Sequence, residues 1–244
     1  MYYTGTRMIR HHFEMRETIA TIIADEQSYI DEACLAMIRA RQELERYIFR
    51  DPFFRNTFDP YCPDSSGPTV TRMAGAAARA GVGPMAAVAG TIALTGVEAM
   101  VKTGATFGIV DNGGDIALIS DREVLIGIHA GTSPLSDRFA FVVPPVDGIY
   151  GICTSSATVG PSISFGIADA VTVFSRDVSL ADAWATAICN EIREDDTSVF
   201  SRLLPGDVDG VFAIIGENSL KWGTIPPIVQ AKVNRDRITA GIRF

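Results

Sequence analysis

The chain has 244 residues, 47% hydrophobic and 20% charged, a balance that supplies a packed core and excludes a disordered chain. With 21 Lys and Arg against 29 Asp and Glu the net charge is −8, and no basic run stands out, so neither nucleic acid nor an anionic membrane surface is an expected partner. A domain of about 100–200 residues accommodates most of this length, so a single domain over residues 1–244 is expected.

The opening residues, MYYTGTRMIRHHFEMRE, lack the basic-then-apolar order of a secretion signal, which points to the cytoplasm. Cys34, Cys62, Cys153 and Cys189 are widely spaced, with no C-x-x-C, so reduced thiols are expected rather than a zinc site. The apolar run Met85 to Val97 is short of the about 20 residues a membrane span needs and reads as a buried helix.

Residues 6–24 predict two strands, with a turn at Met15-Arg16-Glu17 and a β-branched second run from Thr18 to Ala24. Over residues 26–50 the period changes. Ile30, Ala33, Cys34, Met37, Ile38, Leu44 and Ile48 recur at helical spacing, and Asp51-Pro52 ends the helix. Residues 51–68 are rich in Pro, Asn, Asp and Ser and predict a surface connection. Residues 69–105, built from Ala, Gly, Thr, Val and Met, predict two helices broken at Gly81-Val82-Gly83-Pro84. Between 61 and 160 only 5 basic and 8 acidic residues occur, which suits an interior or, together with the small side chains, a homo-oligomer interface. Strands follow at 107–110, 116–119, 124–128, 139–143, 149–153 and 170–174. A helix is predicted over 180–194 and a hairpin over 211–223 around residues 216–219. The tail after Pro226-Pro227 is poorly patterned. The fold class is α+β, an antiparallel sheet with helices packed on it.

Three segments carry chemical potential. Asn112-Gly113-Gly114-Asp115 reads either as a tight hairpin turn or as a bend whose glycines bare backbone N–H groups to a ligand beside Asp115. Thr154-Ser155-Ser156 opens a hydroxyl-rich loop running to Ser162, either a polar surface turn or a set of donors for a phosphate. In the helix after Ser179, Asp182, Thr186 and Asn190 fall at i, i+4 and i+8, a polar stripe on an otherwise apolar helix. Ser179 with Asp182 also fits a capping pair. A carboxylate and a hydroxyl one turn apart can reach one hard cation such as Mg²⁺. Of the three histidines, His11 and His12 lie in a predicted strand and point to opposite faces, and His129 stands alone. There is no G-x-S-x-G and no P-loop, and Gly81-x-Gly83 does not complete a dinucleotide fingerprint.

Taken in order, Ala87-Val88-Ala89-Gly90, Asn112-Gly113-Gly114-Asp115-Ile116, Thr154-Ser155-Ser156 and Ala181-Asp182-Ala183-Trp184-Ala185-Thr186-Ala187 resemble segments of the ApbE family, the FAD:protein FMN transferases. The chain is most similar to the short uncharacterised ApbE-like proteins of archaea and anaerobic bacteria. The resemblance implies an ApbE-like fold with two related halves around a central crevice. It also implies FAD or FMN as ligand, with Mg²⁺ held by Asp182 and Thr186. Asn112, Gly113, Gly114 and Asp115, with Thr154, Ser155 and Ser156, would border the cofactor. The transferases carry a His and a D-P-x-T-G segment between the Ser-rich loop and the metal helix. Here residues 159–170 contain no His, which leaves Asp169 and Asp115 as candidate catalytic bases. Two other readings stay open: a non-catalytic binding or assembly module, and an enzyme acting on another small molecule in the same crevice.

Overall fold

The computed structural model describes residues 8–64, 66–159, 166–233 and 239. Its frame is an eight-stranded antiparallel sheet in the order β1-β2-β3-β4-β7-β8-β9-β10, with a three-stranded sheet β11-β6-β5 beneath it, where β5 is Val124–Gly127. The first half of the large sheet contains β1 (Ile9–Met15), β2 (Thr18–Ala24), β3 (Gly108–Asn112) and β4 (Asp115–Ser120). The second contains β7 (Val146–Ser155), β8 (Ala170–Ser175), β9 (Gly210–Ile215) and β10 (Asn218–Gly223). Each half is a strand pair, a helical excursion and a second strand pair, so the two related halves are visible in the topology. The halves join where β4 pairs with β7.

The first excursion holds α1 (Gln27–Arg50), α2 (Phe53–Asn56), α3 (Pro68–Ala80), a 3-10 turn at Pro84–Ala87 and α4 (Val88–Lys102). The second holds α5 (Val178–Glu191) and a 3-10 turn at Ser198–Arg202. The helices cover one face of the large sheet. Strand alternation sends Val110, Ala117, Cys153, Val173 and Val211 into the core beneath them. The opposite residues, among them Ile109, Leu118, Ile152, Phe174 and Phe212, form a second core against the small sheet. There Phe141 of β6 (Phe139–Val143) meets Phe174 and Phe212 edge to face at 4.9 and 5.6 Å.

Helix α4 is central, packed on α1, α5, β3 and β4. The stretch Pro84–Lys102 is long and apolar enough to cross a membrane by length and composition, and 56% of its apolar window is buried inside the molecule. This is the buried helix expected from the Ala/Gly-rich run. Most of the small side chains of α3, α4 and α5 are packed within the chain.

Three expectations need correction. The 51–68 connection contains the short α2, whose Phe54 is fully buried against Tyr47. The strands at 124–128 and 139–143 leave the main sheet for the small one. They are joined there by β11 (Ile228–Gln230) from the tail that carried no pattern, three residues following a Pro pair. The cap of α5 is Asp177, whose Oδ1 accepts the Leu180 N–H at 3.1 Å, and not the Ser179/Asp182 pair. Ser179 instead shares a hydrogen bond with Thr91 of α4, 2.8 Å between hydroxyl oxygens.

Candidate functional site

With its own helix capped by Asp177, Asp182 is free to serve another. It is buried on the α4-facing side of α5, and its Oδ2 accepts the Gly90 N–H at 2.7 Å. The Ala89 N–H adds to this. Asp182 therefore completes the N-terminus of α4, where unpaired N–H groups and the helix dipole favour an anion. The approach requires a glycine. A Cβ on residue 90 would sit 2.8 Å from the Asp182 Cβ and 3.0 Å from the Val178 carbonyl oxygen.

The Asn112-Gly113-Gly114-Asp115 segment is a two-residue hairpin turn, with Asn112 paired to Asp115 and φ of +69° and +102° at the two glycines. The hairpin-turn reading holds, the Gly114 N–H is taken by Asp111 and not bared, and the turn delivers its flanking side chains to the start of α4. Asn112 donates its Nδ2–H to the Ala89 carbonyl at 3.0 Å. Asp115 lies on the helix-facing side of β4, opposite Cys153 in register. Its Oδ1 is buried and has no hydrogen-bond partner among the described residues.

Two carboxyl groups thus share one apolar setting. Burial pushes Asp182 up to about 7 against the opposing pull of the Gly90 and Ala89 N–H groups. Burial raises Asp115 well above the usual carboxylate range, and the charges of Asp182 and Asp111 raise it further. Cys153 is driven up by burial and then by the same two aspartates, Asp115 and Asp182, which makes it an unreactive thiol. Asp111 points to the other face. There it accepts the Gly114 N–H at 2.9 Å and the Thr239 hydroxyl at 2.7 Å.

The remaining candidates divide. Thr186 is half-buried, one turn beyond Asp182, and its hydroxyl makes no hydrogen bond among the described residues. Ser155 lies on the helix-facing side of β7, the same side as Cys153. Thr154 ties the loop to the turn through its N–H on the Gly114 carbonyl at 3.2 Å, but its hydroxyl meets Thr172 on the opposite face at 2.9 Å. Ser156 folds its own loop, accepting the N–H groups of Thr158 and Val159 at 3.1 and 2.9 Å. Residues 160–162 of that loop lie outside the described residues. Asp169 has both oxygens engaged, by the Gly216 N–H at 2.8 Å and the Thr158 hydroxyl at 3.2 Å, and it pins the β9–β10 turn to the loop. His129 pairs with Asp137 at 2.9 Å beside the small sheet, and His11 and His12 are exposed on the edge strand.

Asn112, Asp115 and Asp182 therefore converge with the backbone of Ala89 and Gly90. Among the described residues no three His, Cys, Asp or Glu cluster as a metal site. Asp115, Asp182 and the half-buried Thr186 carry the kind of oxygen donors that a hard cation with retained water takes.

A family model described as "AbpE bacteria" matches residues 2–205. The chain belongs to this ApbE-like family. A UPF0280 protein of Methanosphaerula palustris is 61% identical over 96% of this chain and 99% of its own length. One from Methanoculleus marisnigri is 62% identical over 96% of each chain. Flavinyl transferase ApbE of Pseudomonas stutzeri superposes over 99% of this chain and 100% of its own, with a TM-score of 0.53 at 12% identity. The flavin transferase ApbE of Vibrio cholerae superposes over 89% and 97%, also at a TM-score of 0.53 and 12% identity. At that identity the likeness speaks for the fold, and the ApbE-like chain has the mixed helix and antiparallel-sheet architecture expected of it.

Proposed function

We propose that this ApbE-like protein binds a flavin nucleotide, FAD or FMN, together with Mg²⁺ at the junction of its two halves. The observation that carries the reading is the buried oxygen of Asp115, without a hydrogen-bond partner among the described residues, beside Asp182, at the start of α4 and under a twin-glycine turn. Asp182, Asp115 and the Thr186 hydroxyl would hold the metal, which would neutralise charge on a pyrophosphate or phosphate when bound. Asn112 orients the Ala89 carbonyl. The Gly113-Gly114 turn and Ser155 border the space where the ligand would lie.

In this reading Asp115 is the better placed of the two candidate bases, because Asp169 is occupied in holding the β9–β10 turn. A competing reading has its own support. Asp182 already completes α4, so the site also suits a non-catalytic binding module in which that carboxylate is structural. Calorimetric titration of FAD and of FMN, with and without Mg²⁺, separates the two. Mg²⁺-dependent binding that disappears in Asp115→Asn supports the cofactor site. Binding indifferent to Mg²⁺ and to Asp115→Asn leaves the structural reading.

A further inference from the structure

The outer face of the first half carries its own set of polar contacts, and they bear on the twin-glycine turn from behind. Thr21 of β2 and Asp111 of β3 are direct partners across the β2–β3 ladder, so their side chains stand side by side on the face turned away from the helices. Asp111 divides its carboxylate between two donors. Oδ1 accepts the Gly114 N–H at 2.9 Å, bridging from the end of β3 to the second glycine of the turn. Oδ2 accepts the Thr239 hydroxyl at 2.7 Å, and that hydroxyl oxygen also lies 3.0 Å from the Thr21 hydroxyl oxygen. Thr239 is only 8% exposed.

Thr239 reaches this place from the far end of the chain. Strand β11 fixes the preceding segment to β6, and Ala231 and Val233 extend the attachment by donating their N–H groups to the Arg138 and Asp137 carbonyls at 2.9 and 3.1 Å. Val233 packs so closely on Gly127 that a Cβ there would lie 2.8 Å from Val233 Cγ2. The C-terminal segment is therefore held at two places, on the small sheet and, at Thr239, on β2 and β3. Burial pushes the Asp111 carboxyl up, and the Thr239 hydroxyl and then the Gly114 N–H pull it back toward the charged form. A buried carboxylate stripped of one donor takes up a proton or swings toward water. Either change loosens its hold on Gly114, because a charge-assisted hydrogen bond is roughly twice as strong as a neutral one.

We propose that Thr239 and Asp111 are positioning residues of the Asp115 site, a clasp that fixes the twin-glycine turn from the outer face of the sheet and makes the C-terminal segment part of the site's framework. Asn112 and Asp115 flank that turn and are carried by it, Asn112 to the Ala89 carbonyl and Asp115 to its place near Asp182. Asp111 lies on the opposite face of the sheet from Asp115, so the clasp acts through the backbone of residues 112–115 and not on a ligand. Its consequence for ligand binding rests on the flavin and Mg²⁺ reading above, whereas its hold on the turn does not.

Amide hydrogen exchange by NMR on the full chain, with no ligand present, reads the clasp directly. Thr239→Val keeps the shape and loses the hydroxyl. In it the Gly114 amide should exchange about tenfold faster or more, while the Gly216 amide, held by Asp169 in the other half, should not change. Thr239→Ser restores the hydroxyl and should restore Gly114 protection, so the comparison stands even where the valine variant loosens the tail altogether. Calorimetric titration of FMN with Mg²⁺ present should show affinity about tenfold lower in Thr239→Val and recovered in Thr239→Ser. Unchanged Gly114 exchange in Thr239→Val, equal acceleration at Gly216, or a serine variant no better than the valine overturns the clasp. Full FMN affinity in a Thr239→Val chain whose Gly114 exchange has risen overturns its role in the site. If wild type binds no FMN with Mg²⁺ while both exchange results hold, the flavin reading falls and the clasp on the turn stands. If FMN binds with Mg²⁺ and Gly114 exchange ignores Thr239, the clasp falls and the flavin reading survives.

Discussion

The buried Asp182 carboxyl predicts a stability profile opposite to that of a salt-bridged aspartate. In the folded chain it holds its proton up to about 7, against an ordinary value of 3.8. Between those values the folded state binds more protons than the unfolded state, so stability falls as pH rises. The contribution is absent below 3.8 and complete above about 7. At about 1.4 kcal/mol per pH unit, the gap amounts to about 4 kcal/mol. For a chain of this size, about 4 kcal/mol corresponds to a Tm roughly 8–16 °C lower at the alkaline end. Urea unfolding at pH 5, 6, 7 and 8, in the absence of divalent ions, should show this decline. Asp182→Asn keeps an oxygen for the Gly90 N–H and cannot ionise, so over pH 5–8 its stability should fall by about 3 kcal/mol less than that of the wild-type chain, the part of the gap that lies above pH 5. Mg²⁺ would offset the decline in the wild-type chain, by about 2.7 kcal/mol at a hundredfold excess over its Kd. An unchanged slope in Asp182→Asn would refute the reasoning. So would equal stabilisation of wild type and variant by Mg²⁺.

Other substitutions probe the supports of the site. Gly90→Ala should cost about 1–3 kcal/mol in urea unfolding, since its Cβ meets the Asp182 Cβ at 2.8 Å and neither helix can retreat freely. Asp177→Ala removes the true cap of α5 and should cost about 0.5–2 kcal/mol while leaving Mg²⁺-dependent flavin binding intact. Asp169→Ala strands the Gly216 N–H, with an expected loss of about 1–3 kcal/mol and faster amide exchange at Gly216 by NMR. Trp184→Phe removes a buried indole N–H that has no acceptor among the described residues. The loss of ring area should be largely offset, with a net stability change of less than about 1.5 kcal/mol by calorimetry.

What could be read in advance follows the range of the forces involved. The β1–β2 and β9–β10 hairpins and α1 are set by alternation, turn residues and a 3.6-residue period, all local signals, and they lie within a few residues of expectation. Strand β11 was invisible because three residues carry no period, and only pairing to β6 makes them a strand. The capping alternative for Ser179 and Asp182 fails for the same reason. Ser179 and Asp182 look like a cap from nearby sequence, but the partner that decides the matter, Gly90, is 92 residues away. The hydroxyls of 154–156 show the limit of composition. Three adjacent oxygens suggest one donor loop, yet the pleat turns Thr154 toward Thr172 and leaves Ser155 on the helix side.

The way the halves meet decides what kind of site this is. Asp115 belongs to the last strand of the first half and Cys153 to the first strand of the second, and the two are direct partners in the β4–β7 ladder. Asp182 comes from the second half and caps a helix of the first. The carboxylates are therefore fixed by a continuous sheet below and by two helices in van der Waals contact above, and neither support contains a hinge. Adaptation to a ligand must come from the borders. The 156–159 turn is held by its own Ser156 and, among the described residues, tied to the next strand only through Ala168 and Asp169. If the cation of the proposed reading binds, it would therefore meet carboxyls already fixed in place, and the ligand would adapt at the loop edge.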